Sequence, residues 1–257
     1  MDAAPLLLAA GSALDADPTT LVAAAAAAGF DGVGVRLSVA QCVDPVGLAA
    51  LAARAVDLGL FVHDVEVYRI GDPEQPDAGP LIDAAAQLGA RFLLVVSDLD
   101  DEGATEHRLA AVVAEAAAAG VDVGVEYMAW TCPGGPRAAM RLAAATGAHI
   151  VVDVLHHVRV GGDAAMLAEV VASGRVGWVQ LCDAPAAAPP DLVAEARHFR
   201  LPPGAGELPL DDLLAALPSA TPISVEVQSD RLVATHRPTE RAQHLYAAAS
   251  SVLSRRG

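Results

Sequence analysis

The stretch GVDVGVEYMAWTCPGGPRAAMRLAAATGAHIVVD, residues 120–153, contains one complete strand–helix–strand unit. Alternating valines predict a strand at Asp122–Tyr127, an alanine-rich segment predicts a helix at Ala138–Thr146, and a second apolar run predicts a strand at His149–Asp153. Strands that alternate with helices pair in parallel, with the helix as the crossover. This unit therefore predicts a parallel β/α fold.

The same alternation runs along the whole chain. The eight predicted strands are Leu6–Ala9, Gly32–Leu37, Phe61–Tyr68, Phe92–Asp98, Asp122–Tyr127, His149–Asp153, Gly177–Cys182 and Ile223–Val227. The clearest crossover helices are Pro45–Leu58, Glu106–Ala119, Ala138–Thr146 and Glu240–Leu253. Eight such units in 257 residues predict a single (β/α)₈ TIM barrel domain spanning residues 1–257, since one barrel takes roughly 250 residues. An open doubly wound sheet is the alternative, but it usually has a glycine-rich phosphate loop after the first strand, where Gly11 stands alone.

Charge and hydropathy narrow the set of partners. The formal net charge is −16, with 32 acidic against 16 basic residues, and such a surface repels nucleic acids and anionic membranes. No run approaches the ~20 apolar residues that span a bilayer, and the start Met1-Asp2 lacks the positive charge of a secretory signal. We expect a cytoplasmic protein with no nucleic-acid or membrane partner. Its three cysteines lie far apart, which argues against a disulfide framework or a structural zinc site.

Acidic residues end three neighbouring predicted strands. Alternation turns the valines around Glu126 towards the helices and Glu126 itself towards the barrel interior. Asp153 ends the sixth strand, and Glu226 has the same register on the eighth. Catalytic groups of TIM barrels lie at these strand ends, and converging carboxylates are typical of a site for a hard divalent cation. The alternative is that each carboxylate pairs with an arginine or caps a helix.

Other polar residues are candidates for substrate binding. Arg36 ends the second strand on the interior side, while Arg197 and Arg200 lie in the long connection from Ala184 to Pro209. Guanidinium groups suit carboxylates and phosphates. The third strand carries His63, Asp64 and Glu66. Only one parity can face the interior, and we expect Asp64 and Glu66 to do so, with Glu66 in the substrate pocket and His63 facing away.

Five stretches, in this order and spacing, resemble a known family. They are Gly124-Val125-Glu126-Tyr127-Met128, Val151-Val152-Asp153-Val154-Leu155-His156, Val179-Gln180-Leu181-Cys182-Asp183-Ala184-Pro185, Leu201-Pro202-Pro203-Gly204-Ala205-Gly206-Glu207-Leu208-Pro209 and Val225-Glu226-Val227. The chain resembles the sugar isomerase/epimerase superfamily of xylose-isomerase-like TIM barrels, most strongly from Gly120 to Val227.

The resemblance implies a metal site and a substrate contact. The family places Glu, Asp, His and Glu on strands five to eight as metal ligands, which here correspond to Glu126, Asp153, Gln180 and Glu226. Gln180 departs from the family histidine, and its neutral oxygen favours Mn²⁺ or Mg²⁺ over Zn²⁺. The family histidine that follows the strand-six aspartate corresponds to His156, which is implied to contact a substrate hydroxyl or carbonyl.

These expectations combine into an isomerase or epimerase that moves a proton next to a carbonyl of a sugar-like small molecule. Glu126 and Glu226 are the expected catalytic pair, one removing the proton and the other returning it. A lyase or dehydratase on the same metal site, of the inosose or dehydroshikimate dehydratase kind, stays open, as does a metal-free, inactive binding barrel. The related abasic-site endonucleases need many histidines and a basic DNA path, which the charge disfavours. Barrels of this family are often dimers or tetramers, so a homo-oligomer is also allowed.

Overall fold

The computed structural model of the protein describes residues 4–256 and shows one closed barrel of eight parallel strands. Neighbouring strands pair in chain order, and the last strand pairs with the first. The strands are β1 (Leu6–Leu8), β2 (Gly32–Arg36), β3 (Phe61–Ile70), β4 (Phe92–Ser97), β5 (Asp122–Glu126), β6 (His149–Asp153), β7 (Val176–Leu181) and β8 (Ile223–Val225). The predicted (β/α)₈ barrel is confirmed; the predicted bounds of β6 agree with the structure, and those of the other strands differ by at most two residues.

Helices surround the barrel. They are α1 (Pro18–Ala28), α2 (Val39–Cys42), α3 (Pro45–Asp57), α4 (Gly79–Leu88), α5 (Glu102–Ala118), α6 (Pro136–Thr146), α7 (Val154–Arg159), α8 (Ala164–Ala172), α9 (Leu192–His198), α10 (Leu210–Ala215), α11 (Asp230–Thr235) and α12 (Pro238–Leu253), with short 3₁₀ turns at Ala10–Ala13 and Ser254–Arg256. Among residues 4–256, no helix is both long and apolar enough to cross a bilayer.

Local sequence fixes where these helices begin and end. Helix α1 begins with Pro18 behind Asp17, whose carboxylate accepts a hydrogen bond from the Thr20 amide at 3.0 Å. Proline suits the first helical turn because its missing N–H would have no partner there. The helix ends at Gly29, whose φ of 96° is the left-handed conformation that glycine adopts without strain. Such stops return the chain to the next strand after a short turn.

Two apolar layers hold the barrel together. The outer layer lies between strands and helices and contains Val123 and Val125, as their alternation predicts. The inner layer fills the interior and includes Phe92 and Trp178, both buried. Gly124 makes room for Trp178, because a Cβ on this glycine would lie 2.5 Å from the indole ring. Packed apolar side chains therefore fill the barrel interior below the mouth, and the polar side chains of the predicted site lie above them.

The third strand departs from simple alternation. The register between β2 and β3 shifts after Val33, so that Gly34 pairs with Asp64. A bulge places an extra residue in one strand, and here His63 and Asp64 both reach the interior side. The His63 ring lies 5.1 Å from that of Trp178, and a Cβ on Gly34 would meet the Asp64 carboxylate. The expected interior position of Asp64 is confirmed, but the expectation that His63 would face away from the interior is wrong.

The long connection after β7 is more ordered than its prolines and glycines suggest. It contains helix α9, and its end returns to the barrel by a bridge between Asp183 and Leu201. The Asp183 carboxylate accepts hydrogen bonds from four backbone amides, those of Ala184, Gly204, Gly206 and Leu208, at 2.8–3.0 Å. Charge-assisted bonds of this kind are stronger than neutral ones. They fix the segment that carries Arg200 over the barrel mouth.

Candidate active site

A cavity of about 420 Å³ opens where the strands end. Eight of the nine predicted site residues line it, and they are Arg36, Glu66, Glu126, His156, Gln180, Arg197, Arg200 and Glu226. The ninth, Asp153, is fully buried and does not line the cavity. The tertiary structure thus brings residues in or directly after six strands, together with Arg197 and Arg200 of the β7–β8 connection, to one place.

Asp153 lies at the end of β6 and begins helix α7. Its Oδ1 accepts hydrogen bonds from the backbone amides of Leu155 at 2.8 Å and His156 at 3.2 Å. Its Oδ2 accepts a hydrogen bond from Nη1 of Arg200 at 2.5 Å. Burial alone would raise the pKa of Asp153, but the guanidinium, His156 and these amides hold it below its ordinary value. Asp153 is therefore an ionised, well-anchored carboxylate.

Glu126, at the end of β5, has a different environment. It is 6% exposed, and its carboxylate accepts no hydrogen bond from any residue in 4–256. His156 is its nearest polar neighbour, with Nε2 3.7 Å from Oε1. Burial and the nearby charges of Glu226 and Asp153 raise the pKa of Glu126 well above its ordinary value. Glu126 therefore holds a proton more readily than an ordinary glutamate.

His156 is a neutral neighbour of this carboxylate. Burial lowers its pKa to about 4, against the opposing effect of Asp153. The indole of Trp130 packs edge-on against the imidazole, with ring centroids 5.1 Å apart. At neutral pH the ring can donate or accept a hydrogen bond without adding charge to the site.

Glu226 directly follows β8 and lines the same cavity as Glu126. Gln228 donates a hydrogen bond from Nε2 to its Oε1 at 3.0 Å, and Nη1 of Arg200 lies 3.6 Å from its Oε2. Burial raises the pKa of Glu226 above its ordinary value in spite of Arg200. Gly11 packs directly on this side chain, since a Cβ there would lie 2.3 Å from Oε1.

Glu66 and Arg36 form the third polar group of the cavity. Nη2 of Arg36 donates to Oε2 of Glu66 at 3.0 Å, and the Ala10 amide donates to Oε1 at 3.0 Å. Burial raises the pKa of Glu66 to about 7, and the charges of Glu226 and Asp64 add to it while Arg36 opposes it. Arg36 is 39% exposed at its side chain and Glu66 is 2% exposed. Arg36 thus extends from a buried carboxyl group towards the cavity rim.

Arginine side chains supply positive charge to the cavity of this acidic protein. The sequence has no lysine, and four of its arginines line this one cavity, namely Arg36, Arg69, Arg197 and Arg200. Arg69 is paired with Asp98 by two hydrogen bonds of 2.8 and 2.5 Å. Arg197, on the last turn of α9, is exposed and makes no hydrogen bond or ion pair with residues 4–256. Its guanidinium is free to contact a ligand.

The donor atoms at the mouth fit a divalent cation. One ligand atom each from Glu126, Asp153 and His156 lie within 4.8 Å of one another. Oε1 of Gln180 is buried without a hydrogen-bond partner among the described residues, whereas buried polar atoms are nearly always bonded. Three carboxylates and an amide oxygen form a donor set for a hard cation. Glu226 stands outside the tightest group of donors, because Gln228 and Arg200 hold its two oxygens.

Several residues that complete the site were not predicted. Gln228 positions Glu226, and Ser12 joins the end of β8 to the first turn by hydrogen bonds of 2.9 Å to Val225 O and from Val227 N. Asp183 had no predicted role of its own, although it stands within one of the quoted family stretches. An acid directly after a strand and before a Pro/Gly-rich connection can indicate such an anchor. Neither Gln228 nor Ser12 has a sequence signal of this kind.

Comparison with known proteins places this chain in a family. The family described as "Xylose isomerase-like TIM barrel" matches residues 22–250. No curated protein sequence matches the chain.

Three solved structures illustrate the likeness in fold. A fusion protein of a xylose isomerase-like TIM barrel with 4-hydroxyphenylpyruvate dioxygenase has 22% identity and a TM-score of 0.81 over 99% of this chain, which spans only 43% of that protein. The IolI protein with a bound zinc atom has 14% identity and a TM-score of 0.81, over 98% of this chain and 99% of that one. D-allulose 3-epimerase from Methylomonas sp., in complex with D-allulose, has 15% identity and a TM-score of 0.72, over 100% and 98%.

Proposed function

This chain belongs to the xylose isomerase-like TIM barrel family, and we propose that it is a metal-dependent isomerase or epimerase acting next to a carbonyl of a sugar or related polyol. The observation that carries the proposal is the pair Glu126 and Glu226. These two buried glutamates line the same cavity from β5 and from the end of β8, and the pKa of each is raised. A general acid or base works best when its pKa lies near the working pH.

The two glutamates would share one proton. The negative charge of Glu226 raises the affinity of Glu126 for a proton, so the pair favours one ionised and one protonated partner. The ionised glutamate removes the proton from the carbon next to the carbonyl, and the C–H electrons move towards the carbonyl oxygen. In an epimerisation the protonated glutamate then returns a proton to the opposite face of the same carbon, and the carbonyl re-forms. In an isomerisation the proton goes to the former carbonyl carbon, the proton of the neighbouring hydroxyl moves to the former carbonyl oxygen, and the new carbonyl forms at the neighbouring carbon. The atoms balance without any further reactant.

A divalent cation, held by Glu126, Asp153, Gln180 and Glu226, would supply Lewis-acid polarisation of the carbonyl and a neighbouring hydroxyl. We propose Mn²⁺ or Mg²⁺ rather than Zn²⁺, because the donors are oxygens and the amide of Gln180 adds no charge. His156, neutral at pH 7 since its pKa is about 4, would bond a substrate oxygen.

The remaining lining residues would bind the substrate. Glu66 lines the cavity beside Arg36 and would accept a hydrogen bond from a substrate hydroxyl. Arg36, Arg197 and, once its guanidinium turns into the cavity, Arg200 would contact a carboxylate or phosphate on the substrate. The likeness of fold to D-allulose 3-epimerase and L-ribulose 3-epimerase supports a sugar-like substrate.

Proton NMR in deuterated buffer tests this function. The protein, loaded with Mg²⁺, is incubated with a panel of ketoses, ketose phosphates, inososes and polyhydroxylated keto acids. An isomerase or epimerase incorporates solvent deuterium next to the carbonyl of one class and keeps all hydroxyl groups. The same samples with EDTA should show no incorporation.

The alternatives give different spectra. A dehydratase on the same site would expel water and produce new vinylic signals, because the same carbanion-like charge can eject a β-hydroxyl group. A binding barrel would leave every substrate unchanged with and without metal. Either result would contradict the proposed isomerase or epimerase.

A further inference from the structure

The guanidinium of Arg200 occupies a fixed position between the carboxylates of the site. Nε donates to the carbonyl of Ala196 at 2.7 Å, and Nη1 donates to Oδ2 of Asp153 at 2.5 Å and to the backbone carbonyl of Glu226 at 3.2 Å. The side chain is 3% exposed. This is an internal counter-ion held by the β6 end, the β8 end and helix α9.

The same guanidinium contacts Asp153, a ligand of the proposed metal site, and also His156 beside it. Besides Asp153, its Nη2 lies 3.4 Å from Nε2 of His156. Oδ1 of Asp153 already accepts two backbone amides, so Oδ2 is the oxygen with a free direction, and Arg200 takes it. A cation held by Asp153 together with Glu126, Gln180 and Glu226 would need that oxygen as well. Two positive charges a few ångströms apart in a buried site also repel each other strongly.

We propose that Arg200 competes with the divalent cation for Asp153, so that metal loading breaks the Arg200–Asp153 bond and Arg200 sets the metal affinity of the site. The inference rests on the proposed function, because it takes the metal as the resident cofactor. It also gives the Arg200 guanidinium two successive positions. In the metal-free protein it balances Asp153, and after loading its guanidinium is released into the cavity that it already lines.

Isothermal titration calorimetry, in which Mn²⁺ is added to EDTA-treated protein, tests the competition. Arg200→Gln removes the competing charge, and we expect it to bind Mn²⁺ at least about tenfold more tightly than the wild type, since the cation no longer displaces a paired guanidinium. Arg197→Gln is the matched control. It removes the same charge from the same segment but makes no contact with Asp153, and its affinity should stay within about twofold of the wild type.

Equal or weaker Mn²⁺ binding by Arg200→Gln would overturn the proposal. A crystal structure of the wild type soaked with Mn²⁺ gives a readout that does not depend on how the variant folds. The proposal requires the Arg200–Asp153 hydrogen bond to be absent there, and its persistence beside a bound ion contradicts it. Solvent-deuterium incorporation by the wild type separates the two failures. Turnover together with equal Mn²⁺ affinities of the wild type and Arg200→Gln would contradict only the role of Arg200. No turnover and no metal binding by any variant would contradict both proposals.

Discussion

Nη1 of Arg200 and Oδ2 of Asp153 are joined by a 2.5 Å hydrogen bond between two side chains that are almost completely buried. The two residues are 47 positions apart in the sequence, on the connection after β7 and at the end of β6. This ion pair raises the pKa of Arg200 above its ordinary value against the effect of burial. At the barrel mouth the charge of Asp153 is therefore neutralised by an arginine, whereas Glu126 has no arginine partner among residues 4–256.

Removal of either glutamate should stop catalysis. Glu126→Gln and Glu226→Gln keep the shape of the side chain but cannot exchange a proton, and we expect kcat to fall by at least about 10²-fold. Thermal unfolding should show folded proteins, because an uncharged side chain is easier to bury than a carboxylate. Glu102→Gln is the control, since Glu102 pairs with Arg141 on the outer surface. Full turnover in both site variants would contradict the mechanism.

A methyl group on Gly11 should disturb Glu226 from outside the cavity. The added Cβ of Gly11→Ala would lie 2.3 Å from Oε1 of Glu226 and 2.9 Å from its Cγ. The carboxylate must shift from its position, and we expect kcat to fall at least about tenfold, because small misplacements at a reactive centre are costly. In Gly135→Ala the nearest atom is 4.0 Å away, so this control should keep wild-type turnover. Equal rates for the two variants would show that the Gly11 contact does not matter.

Arg197 should affect binding of a charged substrate and little else. It is exposed at the cavity rim without a protein partner among residues 4–256. We expect Arg197→Gln to raise KM for a carboxylate- or phosphate-bearing substrate about tenfold at unchanged kcat, as the loss of a contact made equally in ground and transition state. Steady-state kinetics with a charged substrate and its neutral analogue measure this. An equal change for both substrates would rule out an anion contact.

Glu66 should make the stability of the metal-free protein depend on pH. Its pKa is about 7 in the folded protein against an ordinary value of 4.5, so the folded state holds this proton to higher pH than the unfolded chain. The stabilising effect is complete below pH 4.5 and is lost as the pH rises through about 7.

Glu66→Gln imitates the protonated side chain at every pH. The variant should therefore match the wild type near pH 4.5 and exceed its free energy of unfolding at about pH 8, by up to about 3 kcal/mol. Urea unfolding in EDTA at several pH values measures the difference. A difference that does not change with pH would contradict the raised pKa.

Periodicity and turn chemistry were enough to predict the barrel. Each strand shows its own apolar pattern, and each glycine or proline at a helix end acts on its immediate neighbours. The position of Glu126 followed in the same way, because alternation assigns its side chain to the interior once Val123 and Val125 face the helices. These are local effects, and a local sequence contains them.

Contacts between distant segments could not be predicted in this way. The bulge that turns both His63 and Asp64 inward depends on how β3 pairs with β2. The sequence placed Arg200 in a connection near the mouth, but only the folded chain decided that its guanidinium bonds to Asp153 rather than extending into solvent.

The sequence by itself determined the closed barrel and the set of acidic residues at its mouth, because both follow from a repeated pattern of apolar and polar positions. The tertiary structure decided which of these acids is neutralised and which keeps a raised pKa. The physical reason is that charge balance in a buried site depends on distances of a few ångströms between side chains from different strands.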